Sequence, residues 1–384
     1  MTTRTVTWTQ SNARTLSRQG LDTPLRATPA TVTSAMLAAQ AQVLSAAELS
    51  VALRLGGGAT RTTVRDALWT DGSLVKTYGP RGTIHLLARD DLPMWTGALT
   101  AIPGTTSRAP EAVGLTAAQT EQVIDAIADA LTDAQLTTDE LTEAIVARTG
   151  PWAGDPVMEA FQGKWARWRQ VTHLAAHRGV LAFAPNKGRR VAHTNPQAVP
   201  MEQGEALGRL VVRYLRAYGP ATSAHFAKWL AAPQGWAKEL FRSSAAEGRI
   251  EPVRYEGDAA FVAAGDGEFP AAEPRGVRLL PYFDAYTIAS QPRELLFPGP
   301  ARERALAGGQ AGNYPVVLVD GAVAGVWHQK RSGKRIAVTV EPIGESLDRA
   351  SAREELAEQV ERVAEVLEAR ATLTVGKVLV GAHA

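Results

Sequence analysis

The chain reads as an α+β protein in which one unit, several helices followed by a β-hairpin, occurs three times before a smaller β-rich segment. Three observations predict this. Apolar residues at helical spacing give way, three times over, to two short strand-like runs separated by a turn. Each hairpin follows a helix that stops near a glycine or small polar residue, as at Gly179 and Gly248. Beyond Pro270 the helical spacing yields to strands joined by tight turns. Helices followed by a hairpin is the winged-helix order, so the expected organisation is winged-helix units at 1–115, 116–200 and 201–270 and a β-rich domain at 271–384.

In the first unit an Ala-rich run predicts a helix over about 32–39. Ser45 with Glu48 has the form of a capping box that would start a second helix, running to about Leu55. A third helix at about 60–69 leads to strands at 73–78 and 83–87 around the turn Gly79-Pro80-Arg81-Gly82. The second unit shows a helix at about 117–131 and another starting at Thr137-Thr138-Asp139-Glu140. A long basic-aromatic helix through Trp165, Arg167, Trp168 and Arg169 follows, then strands at 180–183 and 189–193. Trp165 and Trp168 read as packing residues rather than base-stacking ones. In the third unit, helices near 206–214, 222–230 and 236–247 precede strands at 250–255 and 259–262. The final domain should hold strands starting at 277, at 315–319 and at 322–327. A basic loop, Lys330 to Arg335, would lead into a strand at 336–340. Leu356, Val360, Val363 and Leu367 mark a helix, and 371–380 is a last strand. The Pro, Gly and Arg-rich stretch at 291–312 reads as a surface loop.

Composition narrows the function. The 384 residues, 45% hydrophobic and 21% charged, are ordinary for a soluble globular chain, and no segment has the apolar length to span a membrane. The start, MTTRTVTWTQSN, lacks the apolar core of a signal peptide, so a cytoplasmic location is expected. With no cysteine, disulfides, thiolate metal sites and a cysteine nucleophile are excluded, and no metal or other cofactor is expected. A net charge of +2 permits nucleic-acid binding only if the basic residues are gathered on one face.

Gln40-Ala41-Gln42 stands out because it falls between two helices. Residues at i and i+2 point roughly 200° apart on a helix but to one side of an extended segment, so a non-helical junction lets the two amides face one target. Taken alone, a Gln ending an Ala-rich helix is most often a solvated or capping side chain. The basic residues fall where docking on a duplex would need them. Arg61 and Arg65 occupy the first unit's third helix, and Lys76 and Arg81 its wing. Lys187, Arg189 and Arg190 occupy the second wing, and Lys330, Arg331, Lys334 and Arg335 the late basic loop. His85, alternating with Ile84 and Leu86, is expected to point outward and to join them.

These residues resemble a family. The tandem units, Gln40-Ala41-Gln42 ahead of a helix ending in Ala52-Leu53-Arg54, the wing from Gly79 to Leu87 with His85, and Asp320 to Trp327 together resemble the winged-helix alkylpurine DNA glycosylases of the AlkZ and YcaQ type. The resemblance covers nearly the whole chain. It implies three winged-helix units closed into a C-shape with a β-rich, barrel-like carboxyl-terminal domain. It also implies excision of N7-alkylated guanine from double-stranded DNA and unhooking of interstrand crosslinks. The family's catalytic motif is Gln, an apolar residue, then Gln or Asp. With Gln42 in third place the chain looks like the AlkZ branch, associated with self-resistance to DNA-alkylating natural products, and departs from the branch with a carboxylate.

Two amides suit that chemistry. A guanine alkylated at N7 is cationic and leaves C1′ as a neutral base, so little acid catalysis is needed. The protein must hold sugar and water in line and stabilise an oxocarbenium-like transition state; Gln carbonyl oxygens orient water but remove no proton at neutral pH. Uncharged bases would be spared, and a bulky major-groove adduct would not need full flipping. Two rival readings are a transcriptional regulator, which would bind one operator preferentially, and a non-catalytic protein that shields lesions or sequesters a drug, which would release no base. Three units in one chain favour a monomer wrapped on a duplex over a dimeric regulator.

Overall fold

A computed structural model describes residues 4–103, 113–160, 163–306 and 308–382. Strand β1 (Thr5–Val6) and helix α1 (Trp8–Arg18) come first, α1 closed by a capping box of Thr7 and Gln10. Then come α2 (Pro29–Ala35), β2 (Ala39–Gln40), α3 (Leu44–Leu53), α4 (Arg61–Trp69), β3 (Leu74–Tyr78), β4 (Ile84–Ala88) and α5 (Leu92–Thr100). The next stretch holds α6 (Ala117–Ala130), β5 (Gln135–Thr137), α7 (Thr138–Thr149), β6 (Pro156–Glu159), β7 (Lys164–Ala166), α8 (Thr172–His177), β8 (Ala182–Lys187) and β9 (Arg190–Thr194). Helices α9 (Gln203–Tyr218), α10 (Ser223–Leu230) and α11 (Gln234–Ala246) precede β10 (Ile250–Tyr255) and β11 (Asp258–Ala263). The carboxyl-terminal part comprises β12 (Val277–Leu280), α12 (Ala285–Ala289), α13 (Arg293–Leu296), α14 (Pro300–Ala305), β13 (Val316–Val319), β14 (Ala322–Ser332), β15 (Arg335–Pro342), α15 (Ala350–Val366) and β16 (Arg370–Val375).

All three expected hairpins are present, β3–β4, β8–β9 and β10–β11, and each is widened by a short outer strand. In the first two sheets that strand comes from the local helices, giving the orders β2-β4-β3 and β5-β9-β8. In the third it is β1, pairing in parallel with β10 from the far end of the sequence. Helix α7 starts where expected, with Thr137 and Glu140 in a reciprocal capping box.

Several expectations are corrected. Ser45 and Glu48 form no capping box; α3 is capped by Val43 without a side-chain bond, and Glu48 is buried against Arg65. The long basic-aromatic helix is instead β7, a 3-10 turn at Arg167–Val171 and the short α8, which buries Trp168 and leaves Trp165 exposed. The 291–312 stretch is no plain surface loop, because α13 and α14 bury Leu296, Phe297, Ala301 and Ala305 against the last sheet. Lys330 and Arg331 lie on β14 and Arg335 on β15, so the basic segment is a strand-turn-strand with Ser332 opposite Arg335. The sheet itself runs β12-β13-β14-β15-β16 with two free edges and is not a closed barrel.

That five-stranded sheet is covered on both faces, as its alternation requires. Val317 and Val319 face a core shared with α15 and α3, while Val316 and Leu318 face α12 to α14 and Leu16. A separate core under α5, α9, α10 and α11 contains Trp95, Tyr214, Phe226 and Trp229. The first unit meets the carboxyl-terminal part through Arg54 and Asp284, whose side chains are both 0% exposed. Two parallel N–H to carboxylate bonds of 2.8 and 2.7 Å join them, and the Ser50 hydroxyl and Tyr286 backbone N–H supply 2.7 and 3.0 Å bonds to the same carboxylate. Removing one charge of such a pair leaves the other buried without a partner. Asp284→Asn is therefore expected to lower unfolding free energy by about 3–5 kcal/mol, read as a lower guanidinium midpoint at unchanged slope.

Candidate active site

The segment carrying the two glutamines is shaped by the end of α2. The Ala38 N–H bonds the Thr33 carbonyl and the Leu37 N–H the Ser34 carbonyl, the paired bonds of a Schellman helix stop. That stop needs a left-handed residue, and here it is Leu37 (φ 57°), followed by Ala38 at φ 105°. A non-glycine residue there costs about 1–3 kcal/mol. Leu37 offsets the cost by burying its side chain among Val75, Leu87, Trp95 and Tyr218. The Tyr218 hydroxyl also donates to the Met36 carbonyl, pinning the turn from α9.

The chain leaves this turn extended. Ala39 and Gln40 pair antiparallel with Leu86 and His85 of β4, and the Ala41 N–H bonds the Ile84 carbonyl at 2.7 Å. Burial alternates accordingly: Ala39 and Ala41 are buried, Gln40 is half-buried and Gln42 exposed. The non-helical junction expected from the sequence is present. Gln40 Oε1 accepts a 2.8 Å bond from Arg81 Nη2, and Gln42 Oε1 accepts a 3.3 Å bond from the Ile84 N–H. Gln40 opens on a narrow recess also lined by Pro80, Arg81, Tyr218, Trp229, Phe283 and Ile288. Elements far apart in sequence thus meet at the motif.

His85 corrects its expectation. It is 3% exposed, because β4 is the central strand of its sheet and is covered on both faces. Its Nδ1 lies 2.9 Å from the Thr83 carbonyl, which can only accept, so Nδ1 carries the proton. Burial, then the nearby Arg81 charge, push its pKa down to about 3, and the ring is neutral. Gly79 makes the close packing possible, since a Cβ there would lie 3.0 Å from the ring.

The basic residues fall into four groups. Arg81 is turned inward, its second Nη donating to the Trp229 carbonyl at 2.8 Å, and burial lowers its pKa to about 10. Arg65 makes a bidentate pair with buried Glu48 at 2.7 and 2.9 Å, Arg61 pairs with Glu368 at 3.4 Å, and Lys187 with Glu140 at 3.2 Å. Lys76 lies 4.6 Å from the Phe183 ring centroid. Arg189, Arg190, Lys330, Lys334 and Arg335 are exposed and make no ion pair among the described residues; Arg331 is exposed and donates to the Gly333 and Leu367 carbonyls. The sequence reading missed the recess walls, whose residues come from three separate regions, and the stacking of Arg169 on exposed Trp165 at 4.1 Å. A basic residue four positions from a tryptophan was the available signal for the second.

A family model described as DNA glycosylase AlkZ-like matches residues 33–366. The chain is 31% identical over 334 residues to an interstrand DNA cross-link repair glycosylase of Streptomyces sahachiroi, covering 83% of this chain and 87% of that protein. The solved structure of the Streptomyces sahachiroi DNA glycosylase AlkZ superposes with a TM-score of 0.81 at 27% identity, covering 97% of this chain and 100% of that one.

A histidine whose folded pKa lies below its unfolded value stabilises the fold above the unfolded value, and that contribution is lost as pH falls. For His85 the loss should run from about pH 6.5 down towards 3. His85→Asn keeps a donor for the Thr83 carbonyl but cannot titrate. The drop in unfolding free energy between pH 7.5 and 5 should be smaller in this variant by up to about 2 kcal/mol, measured by denaturant titration at both pH values.

Proposed function

The chain belongs to the AlkZ-like DNA glycosylase family, and on that premise we propose that it hydrolyses the N-glycosidic bond of N7-alkylated guanine in double-stranded DNA. The observation that carries this reading is the extended Ala39-to-Gln42 segment, which offers two amides from alternate positions, with Gln40 lining a recess and Gln42 exposed. Each amide oxygen already accepts one bond but keeps a second lone pair, and both N–H donors of each amide remain. Water donates to a carbonyl and accepts from an amide, so the pair can hold it against C1′. The C1′–N9 bond breaks, its electron pair leaves with the neutral alkylguanine, and the positioned water adds to the oxocarbenium carbon. Its proton passes to solvent, since neither amide is a base at neutral pH. Catalysis is positioning and partial charge acting on a bond the alkyl group has already weakened.

On the same reading the helix-and-hairpin repeats are three winged-helix units, at 1–115, 116–200 and 201–270, curved into a C with the 271–384 domain and acting as a monomer on cytoplasmic DNA. Arg189, Arg190, Lys330, Arg331, Lys334 and Arg335 contact phosphates first. Arg61 and Lys187 exchange carboxylate for phosphate, Arg65 keeps its pair with buried Glu48 and offers Nη1, and Lys76 adds charge beside Phe183. The named relative repairs interstrand crosslinks. We extend unhooking of crosslinks or bulky adducts to this chain, as self-resistance to a DNA-alkylating natural product.

Release of free 7-methylguanine from a methylated duplex tests the chemistry. The Gln40→Ala/Gln42→Ala double variant should lose at least about 100-fold in rate while binding the duplex within a few-fold of wild type. Equal release by both proteins would remove the motif from the mechanism. For the docking surface, Lys330→Ala/Lys334→Ala/Arg335→Ala should lower the slope of log affinity against log salt by up to about 3, read by fluorescence anisotropy between 50 and 200 mM salt. An unchanged slope would move the duplex elsewhere.

A further inference from the structure

We propose that Arg81 is a positioning residue that fixes which way Gln40 presents its amide to the substrate, a role that rests on Gln40 being catalytic. Arg81 sits on the wing turn, where a phosphate contact is the obvious assignment. The geometry opposes that assignment. Arg81 takes a left-handed conformation (φ 62°), and its side chain runs back beneath the turn. Nη1 donates to the Trp229 carbonyl and Nη2 to Gln40 Oε1, both at 2.8 Å. No carboxylate pairs with it among the described residues. Each of its terminal nitrogens thus already donates one bond inside the protein.

A guanidinium has donors and no acceptor, so the Gln40 atom it meets can only be the carbonyl oxygen. The last torsion of glutamine is broad and two-fold, and without such a partner the amide turns over at little cost. With Arg81 in place, the carbonyl is held towards the wing and Nε2 is held away from it. Gln42 receives the same treatment from the Ile84 N–H. The wing therefore sets the polarity of both amides, and one lone pair of the Gln40 carbonyl with two N–H donors is left for water and deoxyribose oxygens.

Arg81→Lys separates the two roles, because lysine keeps the charge a phosphate needs but cannot bridge two fixed carbonyls. Single-turnover release of 7-methylguanine would be measured for wild type, Arg81→Lys, Gln40→Ala and the double variant. Duplex affinity across salt and thermal melting would be measured alongside. Arg81→Lys should slow release about 10- to 100-fold at saturating enzyme, with affinity and salt slope within twofold. In the Gln40→Ala background it should slow release no further. The Gln40 side-chain N–H₂ resonances, assigned by their loss in Gln40→Ala, should move in Arg81→Lys. Weakened affinity with a shallower salt slope and full release at saturation would overturn the proposal and make Arg81 a phosphate contact. A slowing that persists in the Gln40→Ala background, or unmoved Gln40 resonances, would overturn it too. Full activity of Gln40→Ala would instead fail the catalytic reading of the motif. Should the lysine variant lose its cooperative melt, Arg81→Gln, which can reach one acceptor, is read the same way.

Discussion

The Arg54–Asp284 ion pair constrains where everything else can sit. Two charges without solvent contact are tolerated only when their hydrogen-bonding capacity is met, and here Ser50, the Tyr286 N–H and the bidentate geometry meet nearly all of it. Both ends of the pair adjoin the site. Arg54 closes α3, the helix that begins just after Gln42, and Asp284 follows Phe283, a wall of the recess. Asp284 also caps α12, which carries Ile288 to the same recess. One pair thus holds the glutamine segment and the carboxyl-terminal wall in register across 230 residues of sequence.

Strain supplies the second constraint. A glycine at Leu37 would satisfy the helix stop more cheaply, but it would remove a side chain that packs into the α5–α9 core. The strained turn and the buried leucine are therefore one device. The turn aims the chain along β4, and the leucine anchors that direction to α9, the helix whose Tyr218 hydroxyl holds Met36. The two-residue strand β2 is too short to define its own position, and it is set by these contacts on either side.

What the sequence revealed follows from which interactions are local. The hairpins were legible because period-two alternation and turn glycines act within a few residues, and the Gln40–Gln42 junction because an i, i+2 pair has meaning only in extended chain. Glu48 was misread because its partner, Arg65, lies on the next helix and a buried carboxylate prefers a bidentate guanidinium to an exposed cap. His85 was placed outward by assuming one wet face on β4, whereas β2 and β3 flank that strand and both its faces are covered. The basic-aromatic stretch from Trp165 gave way to strand and 3-10 turn once Trp168 could be buried with its indole N–H bonded to the Thr142 hydroxyl. Arg81, expected on the wing as a docking residue, turns inward because both its acceptors are set by tertiary packing that the sequence does not show.

The charges around the glutamines narrow the chemistry the site can support. Arg81 has no carboxylate partner among the described residues, and Arg293, close enough to lower its pKa, donates through its Nη atoms to the Thr287 and Ile288 carbonyls. Arg81, bonded to Gln40, and Arg293 behind it would oppose the growth of positive charge on a sugar held there. During excision of a cationic base, positive charge only moves from base to sugar, and the net charge facing these arginines does not rise. During excision of a neutral base, a new ion pair would have to be separated beside them, with no acid among these neighbours to protonate the departing ring. On the proposed function, the same arrangement would bias the site towards lesions that arrive already charged, with the duplex phosphates balancing the arginines once DNA is bound.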